Sequence, residues 1–171
     1  MQLVKFIPIV FIIFGIFPYE NLVHAGAENP KNYKVLAAKN KKLSIDNVKY
    51  YLKEGDKFIN NGDFDKAKES YLDARKLAKQ IASFYSDLNT AFKGIDARIP
   101  IEVQGKGKET LQILAESNRR LAALYIKNGK PEVAVPLLVE TIRIMSPKSL
   151  EGKEAYKKLI QLGFVETKYK G

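Results

Sequence analysis

The side chains that most often carry chemistry are scarce in this chain, and those present lack the partners a reaction needs. There is no cysteine, which removes disulfides, thiolate metal sites and a thiol nucleophile. The single histidine, His24, lies in an apolar N-terminal stretch, so no serine has an imidazole base to activate it. Asp63 and Asp65 straddle a turn where helix capping accounts for them, and Glu151 and Glu154 belong to a charged helix face. The run Gly105-Lys106-Gly107-Lys108-Glu109-Thr110 comes nearest to a phosphate loop. Such a loop needs Gly, four residues, then Gly-Lys-Ser/Thr; here Glu109 separates Lys108 from Thr110, and Glu102 stands five residues before Gly107. No constellation for catalysis, a cofactor or a metal emerges. What remains is recognition chemistry, best represented by Arg119-Arg120, whose guanidinium groups can hold carboxylates through paired hydrogen bonds.

The elements that would position these residues begin after an address label. Lys5 followed by the apolar run Phe6 to Phe17, then Ala25-Gly26-Ala27, has the form of a signal peptide with a small-x-small cleavage site. The apolar run is shorter than the roughly 20 residues of a membrane span. Cleavage is expected after residue 27, exporting the rest to a periplasm, a thylakoid lumen or the medium; the alternative is an uncleaved N-terminal anchor. Residues 28–43 hold five lysines and one acid and are expected to form a basic flexible arm. Formal net charge is +10, and Lys5 and Glu20 cancel within the leader, so the mature part keeps all of it. That balance favours acidic partners or an anionic membrane; the bland alternative is a lysine-rich soluble surface.

From residue 44 to 165 the apolar residues step by three or four, which predicts an all-α domain. Ser44 is a plausible cap for a first helix from Ile45 to Asn61. A second, of about 28 residues, starts near Phe64. Lys93 to Gly107 reads as a break, because Ile99-Pro100-Ile101 disfavours helix. Helices are then expected over Lys108–Asn128, from Pro131 to Ser146 with a bend at Pro136, and over Ser149–Leu162. Residues 166–171 form a tail.

The spacing of Tyr51, Gly55, Phe58, Gly62, Phe64, Ala67, Tyr71 and Ala74 resembles the tetratricopeptide repeat, a 34-residue helix–turn–helix unit. Glu54 and Lys79 depart from its pattern, where Leu and Pro are usual. A weaker copy runs through Leu121, Ala122, Tyr125, Gly129, Ala134 and Leu138, with Asn118 in place of the early aromatic. Gly129 lies 67 residues after Gly62, and Gly163 lies 34 after Gly129. The resemblance implies stacked helical hairpins with overlong middle helices and a C-terminal capping helix, which would bury Leu159 and Ile160.

In that family the first helix of each pair lines a concave, peptide-binding side. The resemblance therefore assigns to the groove Lys49, Lys53, Asp56 and Asn60 from the first repeat. It adds Glu116, Arg119, Arg120 and Lys127 from the second, and Lys153, Lys157 and Gln161 from the cap. The family's carboxylate-clamp variant is not supported, since Leu52 and Asp56 occupy its Lys and Asn places. The implied function is an exported, non-enzymatic protein-interaction scaffold, an assembly or accessory factor binding a polypeptide of acidic character. No cofactor, metal or small-molecule ligand is expected. The alternative is salt-sensitive binding to an anionic membrane or, less in keeping with export, nucleic acid through the basic arm and tail. Phe84, Tyr85 and Phe92 on the long hairpin could either close its core or form a second docking surface.

Overall fold

A computed structural model describes residues 42–170; the expected signal segment, the basic arm up to residue 41, and Gly171 lie outside the described residues. The described chain is all-α. Its helices are α1 (Ile45–Asn60), α2 (Phe64–Phe92), α3 (Arg98–Lys127), α4 (Pro131–Met145) and α5 (Leu150–Gln161). Each packs against its neighbour in sequence, and α1 also meets α3. Ser44, Asp63 and Ser149 cap α1, α2 and α5: their side-chain oxygens accept from Asn47, Lys66 and Gly152 N–H groups that the helices leave unpaired.

Helices α1, α3 and α5 end the same way. At the first end, Gly62 N–H donates to the Ile59 carbonyl and Asp63 N–H reaches back to Phe58. The pattern recurs at Gly129 and Lys130 on Ile126 and Tyr125, and at Gly163 and Phe164 on Ile160 and Leu159. The three glycines have φ of 78°, 70° and 77°, which any side chain would strain.

Small residues bring the helices together. Val48, Ala67, Ala74, Ala78 and Ala134 are wholly buried, with Leu52, Ile81, Leu114, Leu121, Leu124, Leu138 and Leu159 around them. Where α1 crosses α2, Gly55 faces the buried ring of Tyr71 so closely that a Cβ there would sit 2.3 Å from the ring. In the second hairpin the corresponding pair is Ala122 and Leu138: one side gains a methyl where the other loses a ring. Buried Thr110, Ser117 and Thr141 donate to the carbonyls one turn back, so these hydroxyls cost little.

Two sequence expectations need correction. Lys93–Gly107 is not a loop: only 93–97 separate the helices, and α3 begins at Arg98, ten residues before the expected Lys108. Pro100 is its third residue, where the N–H has no intrahelical acceptor, so proline sacrifices no bond. Asp96 accepts from the Arg98 N–H in place of a cap on Ala97. Second, of the two residues expected to seal the cap, Leu159 enters the core but Ile160 is only half-buried; Ala155 takes its place. Pro136 lies inside a continuous α4 with Glu132, the carbonyl it deprives, exposed to water.

Candidate functional site

Two adjoining clefts open on one side of the helix stack, and Ala123 of α3 lines both. The first, about 190 Å³, is formed by Ile59 of α1, Tyr71 of α2, and Arg120, Leu124 and Lys127 of α3. The second, about 180 Å³, lies between α3, α4 and α5, with a floor of Ala122, Ile126, Leu138 and Ala155. Arg119, Glu151, Glu154 and Lys158 form its rim. Together they make an apolar groove with charged edges.

The wall between α1 and α3 is held by a polar network. Asp56 accepts from the Tyr71 hydroxyl at 2.7 Å and from the Arg120 guanidinium. Arg120 also donates to the Leu52 carbonyl at 3.3 Å and to Glu116 at 2.7 Å. Arg119 grips the same Glu116 with Nε and Nη2 at 2.7–3.0 Å. Burial alone would raise the Glu116 carboxyl, but the bonds from Arg119 and Arg120 outweigh it and hold that group below its ordinary value. Burial first, and then the bond to Asp56, push the Tyr71 phenol upward, so it stays a donor at any ordinary pH.

This network changes the part expected of several residues. Arg120 and Asp56 are committed to each other across α1 and α3 and serve to position the wall. Arg119 lies at the rim, exposed and already paired with Glu116. Lys49 is bonded to Glu109 of α3 at 3.0 Å, while Lys53 and Asn60 are exposed on α1. Lys127 sits over the Phe64 ring at 4.5 Å and edges the first cleft. Lys153, Lys157 and Gln161 do not reach the groove. They line a separate cleft on the other side of α5 with Tyr156, Lys168 and Tyr169, where the tail folds back and Tyr156 donates to the Thr167 carbonyl at 2.7 Å. The α5 residues that do face the groove are Glu151, Glu154, Ala155 and Lys158, because helical spacing places 151, 154, 155 and 158 on one face. The groove edge is therefore mixed in charge, with Arg119, Arg120, Lys127 and Lys158 against Glu151 and Glu154.

A second network ties the opposite half. Glu140 of α4 accepts from Arg75 at 2.7 Å and Lys79 at 2.6 Å, both on α2, and from the fully buried Asn118 of α3 at 3.0 Å. Asn118 in turn accepts from Arg75 Nε at 2.7 Å. Asn118 and Lys79, which depart from the repeat pattern in sequence, are thus the residues that join three helices. Partners 22 to 65 residues apart leave no local signal. The α3 side of the groove was legible in principle, since Ala123, Ile126 and Lys127 share a helical face at spacings of three and four.

Among the described residues no group of His, Asp and Glu could hold a metal ion, and no helix is long and apolar enough to cross a membrane. No known protein family, curated protein or solved structure matches the chain.

Proposed function

We propose that this protein is an exported tetratricopeptide-type interaction scaffold, acting as an assembly or accessory factor, whose α1–α3–α5 groove holds a segment of another polypeptide. The observation that carries this reading is the pair of apolar clefts meeting at exposed Ala123, open between helices that polar networks hold apart at fixed spacing. The tetratricopeptide affiliation is supported by the three matching helix ends at Gly62, Gly129 and Gly163 and by the paired positions Gly55/Ala122, Ala67/Ala134 and Tyr71/Leu138. A partner fitting this groove places small apolar side chains in the two clefts. It sets an acidic group towards Lys127 and a basic one towards Glu151 and Glu154. This refines the acidic partner that the net charge alone suggests.

The reading is tested by affinity capture from the exported compartment with wild-type protein and with Ala123→Arg. The arginine obstructs the groove where the two clefts meet, from a helix position that is exposed rather than in the core. A partner retained by wild type and lost with Ala123→Arg is the expected result; equal retention by both would place the interaction elsewhere. Reversal of Arg120 is unsuitable as a control, because it breaks the α1–α3 wall itself.

A further inference from the structure

The α2–α3 hairpin outruns the rest of the fold. Helix α1 starts about one turn before Lys49, which is bonded to Glu109, so its first residue lies near Gly105. Helix α4 runs back along α3 from its C-terminal end, with Glu140 beside Asn118, so its 15 residues end near Ile113. Among the described helices, the part of α3 before Gly105 thus has only the end of α2 beside it. This stretch, residues 98–104, projects roughly 10 Å at 1.5 Å per residue. Inside this arm Val103 is buried and Phe92 and Ile99 are half-buried, and at its base a cleft of about 540 Å³ lined by Tyr85, Val103 and Gly107 opens between α2 and α3. Its apex is uncovered. Ile95 is 79% exposed and Ile101 72%, the two most exposed large hydrophobics described.

We propose that this apex is a membrane-contacting knob, with Ile95 and Ile101 entering the headgroup boundary of an anionic bilayer and Lys93 meeting its phosphates. The shape favours a lipid surface, since a turn joining two helices is convex and offers no groove to enclose a peptide. The charge is complementary. Residues 93–108 carry four cations against Asp96 and Glu102, and both acids are tied to neighbours, Arg98 and Lys106. Aliphatic side chains beside basic ones are the combination that seats a peripheral protein at the interface without spanning it. Burying each isoleucine strengthens partitioning by about tenfold, which makes the contact reversible. This proposal stands apart from the groove, which the apex does not line.

The chain contains no tryptophan, so Ile95→Trp places a sole indole reporter at the apex of the full-length protein while keeping it apolar. On vesicles of phosphatidylcholine with phosphatidylglycerol, its emission is expected to shift to the blue and to be quenched by brominated lipid. Adding Ile101→Ser and Lys93→Glu should abolish both effects, and Asn60→Trp, at the far end of α1, should show neither. Aqueous emission from position 95 on vesicles overturns the proposal, even where the rest of the chain binds them. So does emission already blue-shifted without lipid, which would assign the knob to a protein contact. The same result in the Ile101→Ser/Lys93→Glu background would also sink it, as the residues named would then be irrelevant.

Discussion

Replacing Glu140 by Gln removes the anion on which Arg75, Lys79 and Asn118 converge while keeping the shape of the side chain. Burial would by itself raise this carboxyl, yet the bonds from Lys79, Arg75 and Asn118 outweigh burial and bring it from 4.5 down to about 2. A displacement of that size corresponds to at most about 3 kcal/mol of folding free energy. The Glu140 side chain is only 11% exposed, but Lys79 is 44% exposed, and solvent screening there reduces the realised value to about 1–3 kcal/mol. The sign follows from the lowered value: the unfolded chain takes up the proton near 4.5 and the folded one only near 2. The stabilisation is therefore complete above about pH 5.5 and is lost as the pH falls through 4.5 towards 2. Urea unfolding of wild type and Glu140→Gln should show a stability gap that narrows by about 1–2.5 kcal/mol between roughly pH 6 and pH 2.5. Other carboxylates titrate in both proteins and cancel in the difference. A gap that stays constant across that range, or none at pH 6, would refute the reasoning.

Three further substitutions probe the packing. Gly55→Ala gains about 1 kcal/mol of helix propensity but must displace the Tyr71 ring, which its hydroxyl ties to Asp56. The expected net loss is about 1–2 kcal/mol in urea unfolding, turning neutral or favourable in a Tyr71→Leu background, since leucine is what faces Ala122 in the second hairpin. Gly152→Ala puts a methyl 2.0 Å from the Ser146 carbonyl oxygen, a backbone atom that cannot swing aside. A loss of about 2–3 kcal/mol is expected, with hydrogen exchange accelerated first in α5; unchanged protection of α5 would contradict it. Ending the chain at Pro147 withdraws Ala155 and Leu159 from the core and uncovers Leu138. That truncation should lose at least about 3 kcal/mol and aggregate; a cooperative melt at the wild-type midpoint would remove the capping role from α5.

Much of the fold was readable because its signals are local. Helical spacing, the caps Ser44 and Asp63, and the glycines at 62, 129 and 163 act within one turn, and the helix bounds fall within about two residues of expectation except at the start of α3. That start was missed because Pro100 disfavours helix in mid-run but not in the first turn, and sequence alone does not say which turn it occupies. The candidate site was less legible. Lys153 and Lys157 were assigned to the groove from the expected role of a first helix, whereas the actual packing of Ala155 and Leu159 rotates α5 to present Glu151, Glu154 and Lys158. Arg119 and Arg120 are adjacent in sequence and looked like one anchor. About 100° of helical rotation separates their fates: Arg120 reaches Asp56 on α1, and Arg119 stays at the rim.

The most direct test of the central claim is site-specific photocrosslinking in the native compartment. A photoreactive side chain at Ala123 should join this protein to one discrete partner, while the same group at exposed Val139 on α4 should give none. Crosslinks from Val139 alone, or none from Ala123 under conditions where the protein is folded and abundant, would contradict a groove that binds another polypeptide.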